Sequence, residues 1–455
     1  MGLSFRNTRP RKSKISSSKR IELTITLSIM NTTLELKPIH PFPARMAPSI
    51  IFNRLPANGP ELCVLDPMAG SGTTLVAARL RGHRAIGFDT DPLAILIARA
   101  WSSDVDADHL RAKAGEILER AKQRYITLSA ASAYPRHADE ETKAFVRFWF
   151  DLTNRRQLAA LSDCISHLHD AGLKALLWCA MSRLIITKSC GVSRAMDVSH
   201  SRPHRVCDIA PVTPFERFVK SVEDIIKGSP FTDRGTLPKA QVRQGDARRL
   251  PLKDSSVDVV ITSPPYLNAI DYLRGHKLSL VWMGHSIEEL RSIRSANVGT
   301  ECLRGKAGEA EVLAEALKEM GEIDDLPDRT KRMLGLYVSD MNRVMAEISR
   351  VLVKDGRAIL VVGNSTIRDV FIKNSSAIAY LGKLNGLDLT SVRSRPLPEN
   401  RRYLPPPGSR LAGKQLRSRM SEEVIISLVK AAAATSQATV VRLEQPAVLT
   451  ASAAD

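Results

Sequence analysis

Two groups of residues in this chain have the types and spacing to do chemistry. The first is Thr262-Ser263-Pro264-Pro265-Tyr266, which ends the β-branched run "VDVVIT" at 257–262. Proline locks φ and has no N–H, so two in succession stop a strand and stiffen the chain just beyond it. A hydroxyl and an aromatic ring on a rigid turn at a strand's end suit a binding site; a proline-stopped loop is the plainer alternative. The second group lies in "VLDPMAGSGTTLVAARLRGHRAIGFDTDP". Gly70 and Gly72 let the backbone turn tightly and approach a ligand that a side chain would block. Asp66 closes one apolar run, where its carboxylate can meet a cationic or amine group. Asp89 closes the next run about 20 residues on, the position at which an acid accepts hydrogen bonds from ribose hydroxyls. A phosphate-binding loop needs a Gly-Lys-Ser/Thr ending that "GSGTT" lacks, and GxGxxG is incomplete because position 75 is Leu. An adenosine-containing ligand without a pyrophosphate fits these residues better.

The elements that must position both groups alternate. Strands are predicted at 61–66, 84–89, 257–262, 357–363, 387–394 and 422–429. Helices follow the first two: "GSGTTLVAARLRG", stopped by Gly82, and "DPLAILIARAW", with Pro92 in its first turn. This rhythm argues for a doubly wound α/β sheet, whose ligands bind at the carboxyl ends of the strands. Residues 104–240 interrupt it and read as a mostly helical insertion ending in the basic stretch "TKSCGVSRAMDVSHSRPHR". The basic tail 1–34 and the small-residue tail 431–455 read as disordered.

Composition narrows the partners. The 455 residues carry 66 Lys and Arg against 48 Asp and Glu, a formal charge of +18, which favours a polyanion, nucleic acid before membrane. Six scattered cysteines with no CxxC pair predict reduced, mostly buried thiols in a cytoplasmic protein. No apolar run reaches membrane-spanning length, and the N-terminus lacks an apolar leader. His200 and His204 have no neighbouring ligands to make a metal site, so no metal is expected.

"DPMAGSGTT" resembles motif I, and "TSPPY" the catalytic motif IV, of S-adenosylmethionine-dependent amino-methyltransferases. The pair resembles the DNA methyltransferases that modify N4 of cytosine or N6 of adenine. The resemblance covers 35–103 and 241–430 and implies a Rossmann-like class I methyltransferase core with a mostly parallel seven-stranded sheet. It implies S-adenosylmethionine as cofactor, bordered on its methionine side by Phe42 and Pro43 of "HPFPARMAP". Asp66, Met68, Ala69, Gly70, Gly72 and Thr73 would form the cofactor loop, Asp89 would take the ribose, and Asp246 of "QGDARRLPL" would lie near adenine. Double-stranded DNA is the implied substrate, and a restriction endonuclease is admitted as companion.

An exocyclic amine is a poor nucleophile because its lone pair is delocalised into the ring. Ser263 Oγ and the Pro264 carbonyl can accept its two N–H bonds and draw it toward tetrahedral geometry, while Pro265 stiffens the turn and Tyr266 offers a stacking face. The base must leave the duplex to reach them. Methylation at cytosine C5 would need a Pro-Cys nucleophile, and no cysteine here follows a proline. Ser at position 263 leans toward N4 of cytosine. Target recognition is sought in the basic end of the insertion (Arg194, Arg202, His204, Arg205), in the segment after the catalytic turn, or in 393–419. An RNA base methyltransferase and a non-catalytic nucleic-acid-binding protein are the competing readings.

Overall fold

The computed structural model describes residues 36–43, 45–232, 237–267, 271–298, 310–368, 370–397 and 422–431. Apart from Ala431, both predicted tails lie outside the described residues, as does most of 393–419. Seven strands form the central sheet: β1 (Cys63–Asp66), β2 (Arg84–Asp89), β3 (Ala240–Gln244), β4 (Val257–Thr262), β5 (Leu352–Val362), β6 (Leu387–Pro396) and β7 (Glu422–Lys430). Their order is β6-β7-β5-β4-β1-β2-β3. Neighbours run parallel except at β7, which is antiparallel to both β5 and β6. This is the Rossmann-like, doubly wound, mostly parallel sheet that the alternating pattern predicts.

Six strands fall where the apolar runs place them. β1 begins at Cys63, two residues late, and β5 begins at Leu352, five residues early. The early start passes through Asp355 in the left-handed region (φ 60°) and Gly356, where a Cβ would sit 2.8 Å from the Val353 carbonyl. The pairing of β4 with β5 shifts register at the same level.

The helix Thr73–Leu80 starts directly after Gly72, and the chain turns out of it through Gly82 at φ 78°. The helix Pro92–Trp101 starts on Pro92, with Asp91 Oδ1 accepting from the Leu93 N–H at 2.8 Å. Both helices bury apolar residues on one face of the sheet, with Val64, Val259, Ile261 and Ile425. The helices Asp328–Val351 and Asn374–Leu384 cover the other face, against Leu65, Val260, Leu360 and Ile426.

The insertion forms helices Ala107–Thr127, Glu140–Trp149, Leu152–Ser166, Ala171–Ile185 and Pro214–Gly228. Aspartates 106, 139, 151 and 170 cap the first four by accepting backbone N–H bonds. These helices share one apolar core with Pro92–Trp101 and with Leu273, Leu278 and Trp282 beyond the proline turn at 263–266. The insertion is therefore packed into the unit that carries the site.

Gly72 has φ 87°, and a Cβ there would lie 2.9 Å from the Cα of Ala98. Gly72→Ala is expected to destabilise the chain by about 1–3 kcal/mol, read as a lower urea midpoint; an unchanged midpoint would refute this account of the turn.

Candidate active site

In this order the sheet reverses direction between β1 and β4, and such a switch point opens a crevice beyond the carboxyl ends of its two strands. β1 ends in Asp66 and β4 ends in Thr262, one residue before Ser263. The two motifs, 196 residues apart, are joined there by a buried bond: Thr262 Oγ1 donates to Asp66 Oδ1 at 2.7 Å. The same oxygen accepts from the Met68 N–H at 3.2 Å. Asp66 is thus turned inward, and burial lifts its pKa to about 6, against the opposing bonds from Thr262, Thr74 and Met68.

On the β2 side, Asp89 Oδ2 accepts from the Gly70 N–H at 2.8 Å and Oδ1 from the Asp91 N–H at 2.9 Å. The Ala69 N–H donates to the Phe88 carbonyl at 2.8 Å, which sews the glycine loop to the end of β2. Burial first, then the nearby Asp91 carboxylate, raises the Asp89 pKa to about 7. Thr73, buried, opens the helix. Phe42 packs its ring over Gly70, 3.4 Å from where a Cβ would stand. The same ring lies 5.4 Å from Tyr272 and 5.3 Å from His276, so the segment around Phe42 and the buried Pro43 bridges the glycine loop and the helix after the proline turn.

These groups could hold an adenosine-bearing cation. Two enclosed carboxylates, each with its charged form disfavoured, gain from ribose hydroxyls and from positive charge. Between 67 and 78 there is no Lys or Arg to hold a phosphate. Asp246 stands just past β3 but is taken up by Arg248, whose Nη2 lies 2.7 Å from Oδ2 and whose Nη1 reaches Asp340 at 2.7 Å.

The Ser263–Tyr266 turn is held from below by residues sequence reading did not reveal. Ser263 Oγ donates to the Val361 carbonyl on β5 at 2.9 Å. Tyr337 donates to the Pro265 carbonyl at 3.1 Å. The Tyr266 hydroxyl lies 3.4 Å from Ser263 Oγ and donates to Glu423 Oε1 at 3.3 Å. Glu423, 7% exposed at the start of β7, is paired with Arg395 of β6 at 3.0 Å. Between these anchors, buried Pro264 has a carbonyl to which nothing donates among the described residues. Reading could reach Glu423 only as the acid opening the last predicted strand.

Of the candidate recognition segments, the basic end of the insertion lies against the helix that follows the turn, Tyr272–Leu280: Ser201 Oγ donates to the Tyr272 carbonyl at 3.2 Å. Arg393 and Arg395 open the third candidate on β6. His200 pairs with Asp197 and His204 with the Arg202 carbonyl. Cys63, Cys164 and Cys179 are buried, whereas half-exposed Cys190 and Cys207 stand 3.1 Å apart; Cys302 lies outside the described residues.

Sheet order and site together define a Rossmann-like class I methyltransferase fold. No family model matches the chain. The chain is 23% identical over 384 residues to the Type II methyltransferase M.MvaI of Kocuria varians, across 78% of this chain and 83% of that one. It is 25% identical over 260 residues to the Type II methyltransferase M.BsoBI of Geobacillus stearothermophilus, spanning 52% of this chain but only half of the relative's length. A solved SAM-dependent methyltransferase from Methanosarcina mazei overlays with a TM-score of 0.31 at 11% identity, over 85% of this chain and 99% of that one. The resemblance to S-adenosylmethionine-dependent DNA methyltransferases, carried by the two motifs, is thus joined by likeness along most of the chain. No helix among the described residues is long and apolar enough to cross a membrane.

Two measurements test the site. A carboxyl whose pKa rises on folding, from 3.8 to about 7 for Asp89, adds stability below about pH 4 that is lost as pH rises through 7. Urea midpoints of Asp89→Asn should therefore decline less between pH 4 and 7 than those of wild type; parallel declines would reject the shift. Tyr266→Phe and Glu423→Ala should be non-additive by about 0.5–1.5 kcal/mol in a stability cycle. Additivity would mean that the Tyr266–Glu423 bond carries nothing.

Proposed function

We propose that this chain is a site-specific DNA methyltransferase that moves a methyl group from S-adenosylmethionine to the exocyclic amine of a flipped base, N4 of cytosine ahead of N6 of adenine. One observation carries the reading: at the switch point, Ser263 Oγ donates to the Val361 carbonyl, while among the described residues nothing donates to the Pro264 carbonyl. A hydroxyl has one proton and two lone pairs, so Ser263 can only accept from a ligand in this state. Two acceptors side by side on a proline-stiffened turn suit a group with two N–H donors. A buried carbonyl without a donor costs free energy until such a group arrives.

Bound there, an amine has both N–H bonds directed at fixed acceptors, which localises its lone pair and aims it away from the turn. The bound sulfonium group supplies an electrophilic methyl. The orientation comes from the chain: Val361, Tyr337 and Glu423 hold Ser263, Pro265 and Tyr266 in place, so little reorganisation remains at the moment of reaction. Asp89 accepts ribose hydroxyls, Phe42 and Pro43 cover the glycine loop, Met68, Ala69, Gly70, Gly72 and Thr73 shape it, and Asp66 fixes its distance from Ser263. Asp246, through Arg248, closes the adenine side. Likeness to relatives called type II methyltransferases supports the DNA assignment and a cognate restriction endonuclease as companion.

Incubating the protein with labelled S-adenosylmethionine and mixed-sequence duplex DNA, then identifying the modified nucleoside by mass, tests the reading. N4-methylcytosine is expected; N6-methyladenine would keep the reaction and correct the base. Label in RNA alone would overturn the substrate. Ser263→Ala should lower the rate on the order of a hundredfold, as loss of one preorganised contact does, with cofactor affinity unchanged.

A further inference from the structure

Beside the catalytic turn, on the sheet face covered by the short helix Pro48–Phe52, lies a cleft of about 470 Å³. Arg54, Arg393 and Arg395 line it together with Asn53, Ser391 and Ser427, and no acid is among its lining residues. Arg395 is already balanced by Glu423. Arg54 and Arg393 are not: among the described residues neither has a carboxylate within ion-pairing distance. Arg54 is fixed by donating Nη1 to the Ile50 carbonyl at 2.9 Å, which leaves the rest of its guanidinium to the cleft. Burial, then the charge of Arg393 beside it, pulls the Arg54 pKa down. Two cations are thus held close, one of them half-buried, with the hydroxyls and amide of Ser391, Ser427 and Asn53 around them. That arrangement is short of an anion.

The sheet register ties the cleft to the chemistry. Arg393 pairs with Ile425, and Ile425 with Val361, whose carbonyl anchors Ser263. Two strand spacings separate Arg393 from that anchor, about 10 Å, a span within reach of the backbone of a nucleotide seated at the turn. Strand-end acids line the interior of the site, so phosphates belong outside it, and this cleft is the cationic surface next door.

We propose that the Arg54–Arg393 cleft binds phosphodiester groups of the substrate DNA strand next to the flipped nucleotide. This rests on the DNA methyltransferase reading above. The cleft positions the backbone and reads no sequence, since guanidinium contacts to phosphate carry none. Each phosphate neutralised releases counterions, so affinity should fall with salt by about 0.9 per contact on a log–log plot.

The test uses the full chain with S-adenosylhomocysteine and a short fluorescent duplex of mixed sequence, titrated at several salt concentrations. Methyl transfer to the same duplex is measured in parallel with S-adenosylmethionine. Arg54→Gln/Arg393→Gln is expected to weaken DNA binding at least tenfold at low salt and to reduce the salt slope by about two, with cofactor affinity unchanged. Arg54→Lys/Arg393→Lys should keep the wild-type slope. If wild type methylates the duplex while the Gln variant keeps its affinity and slope, the cleft is refuted and the methyltransferase reading stands. Weaker binding with an unchanged slope also refutes phosphate contact. If wild type neither binds nor labels DNA but labels RNA, the reading itself falls, and this assignment with it.

Discussion

The hydrogen bond from Thr262 to Asp66 is the constraint on which the site depends. It lies at the one place in the sheet where strand order reverses, and it is buried, so breaking it would cost the Thr262 hydroxyl its acceptor and Asp66 the shorter of the two bonds on Oδ1. It sets the separation between the loop after β1 and the turn after β4. Asp66 can do this only by facing inward. The acid that sequence reading places at a ligand's amine also links the two motif segments in the fold.

Around that link, each functional segment is held by at least two elements. The glycine loop is tied to β2 through Asp89 and Phe88 and packed under Phe42. The Ser263–Tyr266 turn is tied to β5, β7 and the helix Asp328–Val351. His276, on the helix after that turn, meets Asp91 at 2.5 Å, and Asp91 also caps the helix Pro92–Trp101. A network in which every polar group has a partner holds its members rigidly. This one is incomplete: among the described residues, buried His276 Nε2 has no partner and nothing donates to the Pro264 carbonyl on the turn itself.

What was legible in the sequence was local. Proline and glycine punctuation fixed the start of Pro92–Trp101 and the turn at Gly82, and apolar runs located six strands, most plainly the parallel β1, β2, β4 and β5, since a buried parallel strand must be apolar on both faces. The positions of Gly70, Gly72, Asp89 and Ser263 at strand ends came from those runs. Val361, Tyr337, Arg395 and Glu423 were not legible. They lie 72 to 157 residues from the groups they hold or, as with Arg395, act through another residue, and only the tertiary fold, strand register for Val361 and Glu423 and helix packing for Tyr337, brings them in. Nor did the helical pattern of 104–240 say that its core would run on into Leu273 and Trp282. Arg248, two residues past Asp246, was visible, but that it would occupy the carboxylate depended on Asp340 drawing it across.

The distribution of charge gives these separate parts one logic. Four carboxylates, Asp66, Asp89, Asp91 and Glu423, sit at or near the strand ends, in a chain whose overall charge is +18. Enclosed negative charge favours a cationic donor and repels phosphate. Outside that enclosure, β6 presents arginines. The ion pair between Glu423 and Arg395 stands at the border, its acid turned to Tyr266 and its cation to the cleft. On the proposed function, a nucleotide entering such a field would be sorted by its own polarity, with its phosphates drawn to the arginines and its uncharged base left to pass inward. Orientation would then be settled before any base-specific contact is made, which is where a rigid turn with two acceptors would gain most.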